Sequence, residues 1–277
     1  MKGDSFLNSA RAPSFDPKGL RKHVLRMALN GQSVHVACAF SLVEILSVLY
    51  GRLLRFDQAG PNASDRDYLV LSKGHGVMAL YACLYELGWL GDRDLDNYFR
   101  DGTLLRGLCE VGVPGCEVTS GSLGHGLPIA TGIAYGLKRK ASMQRVYCIV
   151  GDGEMNEGSM WESLLFAAHH KLDNLIVVVD ANQFQAMGRT EDVLGIEPLS
   201  AKFQSFGWNV AECHGHSMDL LENAFKTMAS QPGKPAALIA RTTKGYGVSF
   251  MAGDNSWHYR RLDEEIYGKA VAELSDA

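Results

Sequence analysis

Two short segments, thirty residues apart, combine residue types that bind metal-bridged phosphates. The turn GDGE at 151–154 follows an apolar run at 146–150, and Asn182 follows a second run at 175–180. Glycines allow close backbone approach, and the first N–H groups of a following helix attract phosphate oxygens. Asp152 would repel that phosphate unless a divalent cation lay between them. One carboxylate, one amide oxygen and a backbone carbonyl suit Mg²⁺ or Ca²⁺ better than zinc, so the spacing predicts a metal–diphosphate site.

Three other interpretations compete with this site. Asp-Gly is ordinary turn chemistry, so the turn alone could be purely structural. A dinucleotide fingerprint needs G-x-G-x-x-G, but Gly158 comes five residues after Gly153 rather than three. Asp180 still resembles a ribose-binding acid, which keeps a nicotinamide-dependent oxidoreductase as an alternative. An EF-hand loop fails because Gly158 and Glu162 fall at its seventh and eleventh positions instead of the sixth and twelfth.

The surrounding pattern predicts the elements that position these residues. Strands are predicted at 68–71, 146–150, 175–180, 208–213 and 236–241. Helices are predicted before and after a loop at His35, from His75 to about Leu87, up to about Lys140, up to about Lys171, at 218–229 and at 262–275. This alternation favours an α/β fold, a parallel sheet of about five or more strands with helices on both faces. Ligands bind at the carboxyl ends of such strands, so the loops SKGH (72–75), GDGE and DANQF (180–184) are expected to converge on one rim.

The composition is typical of a soluble globular protein. Of 277 residues, 46% are apolar and 21% are charged, and the net charge of −4 makes nucleic acid an unexpected partner. Residues 1–19 lack the apolar core of a secretory signal, and no apolar run approaches the roughly 18 residues of a membrane span. We therefore expect a cytoplasmic protein without membrane contact. Its six cysteines show no metal-binding spacing. We predict a flexible arm at 1–15 and a single domain at 16–277.

Four longer motifs, in the same order, resemble the N-terminal domain of the transketolase family. They are LSKGHGVMALYACL (71–84), PGCEVTSGSLGHGLPIATGIA (114–134), GDGEMNEGSMWESLLFAAHHKLDNLIVVVDANQFQ (151–185) and TTKGYGVSFMAGDNSWH (242–258). The resemblance covers nearly the whole chain. It implies a domain that binds the diphosphate end of thiamine diphosphate, and it implies the transfer of a two-carbon ketol or related acyl unit from a sugar or keto donor to an acceptor aldehyde.

The resemblance also implies roles for individual residues. Asp152, Asn182 and the carbonyl of Phe184 would hold Mg²⁺ (or Ca²⁺). His35 would contact substrate, His75 both cofactor and substrate, and Glu157 would lie near a subunit interface. The implied catalytic residues are His35, His75, Glu157 and His258. The implied cofactor-binding residues are His75, Gly121, Ser122, Leu123, Gly151, Asp152, Gly153, Glu154, Asn182, Phe184 and Lys244.

The family resemblance also implies a partner chain. In the family, a pyrimidine-binding domain completes the active site, and only about twenty residues follow the NSWH motif here. The expectation is therefore a split transketolase, in which a separate C-terminal subunit carries that domain in an α₂β₂ heterotetramer. The alternative from a different class is a catalytically degenerate chain that binds and regulates its partner.

Four positions depart from the family pattern near the expected substrate site. Gly107-Leu108-Cys109 stands where Gly-His-Pro is usual, and the Gly-His-Pro-Gly loop is reduced to Val34-His35-Val36-Ala37. His125 replaces a usual glutamine, and Gln183 a usual lysine. Because the metal ligands are kept while sugar contacts change, the hypothesis is a retained cofactor with an altered donor or acceptor.

Overall fold

In the computed structural model, which describes residues 15–56, 60–229 and 232–276, a five-stranded parallel sheet forms the centre of the fold. The strands are β1 (Tyr68–Leu71), β2 (Val146–Gly151), β3 (Leu175–Ala181), β4 (Phe184–Gln185), β5 (Gly188–Arg189), β6 (Asn209–His214) and β7 (Ala236–Arg241). The sheet order is β1-β2-β3-β7-β6, and β4 and β5 form a separate hairpin. The helices are α1 (Pro17–Asn30), α2 (Val36–Phe40), α3 (Val43–Val48), α4 (Val77–Glu86), α5 (Asp92–Asp96), α6 (Gly126–Arg139), α7 (Gly158–His169), α8 (Thr190–Leu194), α9 (Leu199–Ser205), α10 (Met218–Ala229) and α11 (Glu264–Asp276).

Helices cover both faces of the sheet, as its continuous apolar strands require. Successive strand residues point to opposite faces. In β3, Val178 joins a core built with α1 to α4, α10 and α11, while Val177 and Val179 join a second core built with α6, α7 and α9. The α/β fold with a parallel sheet, predicted from the alternation of strands and helices, is confirmed.

The helix α1 begins at a strong capping signal. The Asp16 carboxylate accepts hydrogen bonds from the backbone N–H groups of Lys18 and Gly19, at 3.1 and 3.0 Å, and Pro17 occupies the first helical position. This start orients the helix so that Leu20, Val24 and Ala28 are buried. Arg21 lies on the same buried side of α1, 2% exposed.

The strand ends meet at one edge of the sheet. In the ladders, Leu71 pairs with Ile149, Gly151 with Asp180, and Ala181 with Arg241. The loops after β1, β2, β3 and β7 therefore leave the sheet side by side, which is the predicted convergence.

Some elements were not predicted. The β4–β5 hairpin and the short helices α5, α8 and α9 carry too few residues for a periodic signal, and the helix predicted after His35 is split into α2, α3 and a π-helical turn at Leu49–Leu53.

By length and composition, the described residues hold one stretch that could cross a membrane, Val36–Leu53, and 83% of it is buried inside the fold. The predicted arm at 1–15 lies outside the described residues except for Phe15, which is buried.

Candidate active site

A cavity of about 260 Å³ lies at the edge where the strand ends meet. Its lining includes twelve of the fourteen predicted site residues: His35, His75, Gly121, Leu123, Gly151, Asp152, Gly153, Glu154, Asn182, Phe184, Lys244 and His258. The remaining lining residues are Cys38, Lys73, Leu108, Gln185 and Ala186. Segments far apart in the sequence thus form one site.

The exposed side chains of Ser122 and Glu157 do not line this cavity. Glu157 is the residue at the N-terminal end of α7, and its side chain packs beside Gly124. A negative charge there favours the helix through its dipole. The structure therefore gives Glu157 a place at the surface, outside the cavity wall.

Asp152 is a buried carboxylate that faces the cavity. Its Oδ1 accepts from Gly153 N–H at 2.8 Å and its Oδ2 from Gln183 N–H at 2.6 Å. Burial, and then the nearby charge of Asp180, raise the pKa of Asp152 to about 7. Because a buried anion is costly without a compensating charge, this position favours a bound cation.

Asn182 also lines the cavity, and a hydrogen bond at each end of its side-chain amide fixes the orientation of that amide. Its Nδ2 donates to Asp180 Oδ2 at 3.0 Å, and its Oδ1 accepts from Phe184 N–H at 3.0 Å. An amide oxygen carries two lone pairs, so Oδ1 keeps acceptor capacity for a cation.

Behind Asn182, Asp180 forms a buried ion pair with Lys73, and the two side chains are 0% and 2% exposed. Asp180 also accepts from Ser41 and Thr242. Burial would raise the pKa of Asp180, but the charge of Lys73 lowers it below its usual range. Both carboxylate oxygens of Asp180 are thus engaged inside the protein, so Asp180 is not available to bind a ribose. A ribose-binding acid at this position was the reason for keeping the oxidoreductase as an alternative.

Glu154 connects three loops. Its Oε1 accepts from Ser72 Oγ at 2.5 Å and from Gly124 N–H at 3.0 Å, and its Oε2 accepts from Gly151 N–H at 3.2 Å. These contacts hold the loops after β1 and β2 against the glycine-rich segment that leads into α6.

Three histidines meet at the other end of the cavity. The ring centroids of His35 lie 5.3 Å from His75 and 4.9 Å from His258. Burial, and then the charge of Lys244, lower the pKa of His35 to about 4 and that of His258 to about 3. Burial and Lys73 place the pKa of His75 well below its ordinary value. All three rings are therefore neutral at physiological pH.

Lys244 reaches the same cluster from the loop after β7. Its Nζ donates to Asn255 Oδ1 at 2.6 Å and contacts His258 Nδ1 at 2.9 Å. An ammonium can only donate, so Nδ1 of His258 accepts and Nε2 carries the proton. Burial lowers the pKa of Lys244, as expected for a cation whose hydrogen-bond partners here are an amide oxygen and a neutral ring.

Of the residues that depart from the family pattern, Leu108 lines the cavity, whereas His125 and Gln183 lie outside it. Leu108 lines the cavity, 39% exposed, and its backbone carbonyl accepts from Tyr81 OH at 3.1 Å. Gly121, at φ +143°, leaves room for it, since an added Cβ would lie 2.5 Å from a Leu108 methyl. His125 and Gln183 are exposed and do not line the cavity.

The residues present fit a diphosphate held through a cation. The side-chain amide nitrogen of Gln185 is buried without a hydrogen-bond partner in the part of the chain that the structure describes. A Cβ on Gly153 would come within 2.7 Å of Gln185, so glycine keeps that approach open. Within the described ranges, no three His, Cys, Asp or Glu side chains group as a metal site. A cation here would therefore be bound by the Asp152 carboxylate, the Asn182 amide oxygen, a backbone carbonyl and the oxygens of the diphosphate.

Comparisons with known proteins show what the chain as a whole is similar to. The family model described as "Transketolase, thiamine diphosphate binding domain" matches residues 20–272. An apulose-4-phosphate transketolase subunit from Actinobacillus succinogenes is 38% identical over 262 residues, 94% of each chain. A 6-deoxy-6-sulfo-D-fructose transketolase subunit from Clostridium sp. is 40% identical over 241 residues, 87% of this chain and 88% of the relative. The solved transketolase from Leishmania mexicana superposes with a TM-score of 0.87 at 28% identity, covering 95% of this chain and 42% of that longer chain.

Proposed function

The chain belongs to the transketolase family, as the N-terminal, diphosphate-binding subunit of a split transketolase, and we propose that it holds thiamine diphosphate through Mg²⁺ or Ca²⁺. The ligands would be Asp152, Asn182 and the Phe184 carbonyl. The observation that carries this proposal is the pairing of a buried carboxylate with an oriented amide oxygen, both facing one cavity. The diphosphate would lie at Gly153 and Gln185, near the Lys244 ammonium.

The reaction we propose is transfer of a two-carbon ketol or related acyl unit from a donor to an acceptor aldehyde. Bound thiamine diphosphate supplies the carbanion-stabilising chemistry that such a transfer needs. The chain's own residues would bind and orient the substrate. His35 and His75 are neutral, so each can accept a proton at one ring nitrogen and donate one from the other. The Nδ1 of His258 is engaged by Lys244, so His258 would serve as a donor from Nε2.

A separate chain would complete the site. Relatives of nearly the same length are named as subunits, which supports a partner. Among the described residues, the carboxylates that line the cavity are Asp152 and Glu154, and both are engaged at the diphosphate end. The carboxylate that acts on the aminopyrimidine ring would therefore come from a pyrimidine-binding C-terminal subunit, in an α₂β₂ heterotetramer.

We also propose a donor or acceptor that differs from the ordinary pentose phosphates. Leu108 places a branched apolar side chain on the cavity wall beside Gly121, where the family pattern has a polar ring. Efficient turnover of ordinary pentose phosphates by the complete complex would contradict this proposal.

Thermal unfolding with candidate ligands tests the cofactor. A ligand that binds only the folded chain raises its melting temperature, so thiamine diphosphate with Mg²⁺ should raise it and NAD⁺ should leave it unchanged. A rise with NAD⁺ alone would favour the oxidoreductase. Co-expression with the partner chain, followed by a substrate screen, separates the enzyme from the degenerate regulatory chain, which would bind its partner and turn over no donor.

A further inference from the structure

A cluster of three buried polar side chains and one partly exposed tyrosine, outside the cavity, holds the loop that carries Lys244. The cluster consists of Arg21, Glu44, His216 and Tyr246, and we call it the loop anchor. None of these four residues lines the cavity. We propose that Glu44 and His216 are positioning residues, which fix the loop 242–247 so that the Lys244 ammonium is held ready for the cofactor's diphosphate. The inference rests on the proposed function, because it assigns these residues a part in that binding.

His216 connects the loop to the protein core. Its Nε2 accepts from the backbone N–H of Thr243 at 2.8 Å, and its Nδ1 lies 2.9 Å from Glu44 Oε2. A nitrogen that accepts from a backbone N–H has no proton, so in the neutral ring Nδ1 carries it and donates to Glu44. The His216 side chain is only 1% exposed. Thr243, directly before Lys244, is therefore hydrogen-bonded to a buried ring whose other nitrogen is also engaged.

Glu44 and Arg21 hold that ring in place. Arg21 contacts both carboxylate oxygens of Glu44, at 2.8 and 2.9 Å, and the two side chains are 3% and 5% exposed. Such a two-pronged pair fixes both position and orientation. Arg21 also donates from Nε to the backbone carbonyl of Tyr246 at 2.8 Å. The loop is thus bound on each side of Lys244.

Tyr246 adds a third attachment through its ring. The ring stacks on His216 with centroids 3.7 Å apart and planes 11° apart, and the Arg21 guanidinium lies 5.2 Å from the centroid of the Tyr246 ring. Gly247, at φ +100°, passes close to Arg21, where an added Cβ would lie 2.7 Å from Nε. The chain can follow this path only with glycine at 247.

Between these attachments the backbone of Lys244 has little freedom. Gly245 N–H donates to Ala37 O at 3.0 Å, and Gly253 N–H donates to Lys244 O at 2.8 Å. A long lysine side chain loses much rotational freedom when it is fixed. If the loop is already ordered, the ligand does not bear that ordering cost when it binds, which strengthens binding. An anchor built from buried charges suits a positioning role better than a stabilising one, because such pairs contribute little net stability.

The test measures thiamine diphosphate affinity, in the presence of Mg²⁺, for the chain in complex with its partner subunit. H216F keeps an aromatic ring against Tyr246 and removes both hydrogen bonds, and Y246A removes the stack at a residue that is 39% exposed. H214A is the matched control, an exposed histidine two residues away. The decisive variants are K244A and the double variant H216F/K244A. Hydrogen exchange of the amides at 243–245 reports the loop directly, without any ligand.

H216F should weaken cofactor binding about tenfold, the scale expected when the one hydrogen bond from His216 to the loop, at Thr243 N–H, is lost. It should also speed exchange at 243–245. On the K244A background it should cause no further loss of affinity, because the anchor acts through Lys244. H214A should match wild type in both measurements. If H216F does not fold, Y246A carries the same expectations.

Full additivity of H216F and K244A, or wild-type exchange and affinity in H216F and Y246A, would overturn the positioning role. Failure of the wild-type complex to bind thiamine diphosphate would overturn the proposed function, and the positioning role with it. Faster exchange with unchanged affinity would show an anchor that does not serve binding, which also rejects the inference.

Discussion

The ammonium of Lys73 is paired with the carboxylate of Asp180 directly behind the amide of Asn182. Asp180 Oδ2 receives both the Lys73 ammonium and the Asn182 side-chain N–H₂. The Lys73–Asp180 ion pair therefore binds the nitrogen of the Asn182 amide, and the amide oxygen faces the other way, where it can bind a cation. A buried ion pair contributes little net stability, but losing one partner leaves a buried charge alone.

The first prediction concerns this ion pair. Lys73→Met should destabilise the chain by about 3–5 kcal/mol, because Asp180 would be left buried without its cation. Lys138→Met is the matched control. Lys138 and Asp173 form an ion pair in which both side chains are 37% exposed, so this substitution should lower the free energy of unfolding by less than about 1 kcal/mol. Urea unfolding of the two variants gives the comparison. Equal losses in both would contradict the assignment of Lys73 as a buried partner.

The second prediction separates folding from cofactor binding at Asp152. Asp152→Asn should weaken binding of Mg²⁺ with thiamine diphosphate by roughly hundredfold, the scale of a lost charged contact of about 3 kcal/mol. The same variant should not lower the stability of the ligand-free chain, because burial and Asp180 already disfavour the charged carboxylate there. Calorimetric titration and thermal unfolding measure the two effects, with the exposed Asp101→Asn as control. Binding at wild-type affinity would show that the metal assignment is wrong.

The sequence predicted the part of the site that follows from strand order. GDGE, SKGH and DANQF each come directly after an apolar run, and parallel strands place such loops at one edge. The cavity accordingly contains Gly151, His75 and Asn182. The family resemblance implied the roles of these residues.

Contacts across long sequence separations could not be predicted in the same way. Cys38 Sγ lies 3.5 Å from His258 Nδ1, 220 positions away, and Lys73 pairs with a residue 107 positions away. No periodic pattern encodes such a pair, because each side chain looks like an ordinary core or loop residue in its own segment. A lysine between two small residues in SKGH was the available signal, since a lysine beside a buried strand end needs a partner.

The third prediction tests the cavity wall at Leu108. Leu108→His should change stability by less than about 1 kcal/mol, because the side chain is 39% exposed. It should raise kcat/KM for ordinary hydroxylated ketose donors by about tenfold, since an imidazole N–H can bind a hydroxyl that the leucine methyls cannot. The assay uses the complete two-subunit complex and a panel of donors. Val111→His, in the same loop but outside the cavity lining and 66% exposed, is the control, and a shift of preference in both variants would reject Leu108 as a specificity determinant.

The fourth prediction uses the neutral histidines of the site. The pKa of His35 falls from its ordinary 6.5 to about 4 on folding, with burial as the main cause and Lys244 as the next. Between these values the unfolded chain binds a proton that the folded chain does not, so this contribution to stability is complete above pH 6.5 and is lost as the pH falls toward 4. Asp152, whose pKa is raised to about 7, acts in the opposite direction over the whole of this range. The measurement is therefore the difference between wild type and His35→Gln in urea unfolding at about pH 7.5, 6 and 5. Wild type should lose more stability than His35→Gln between the highest and the lowest of these pH values, and the exposed His169→Gln should follow wild type. If His35→Gln lost as much as wild type, the ring would not be held neutral by its surroundings, and its assigned part as a neutral proton carrier would fail.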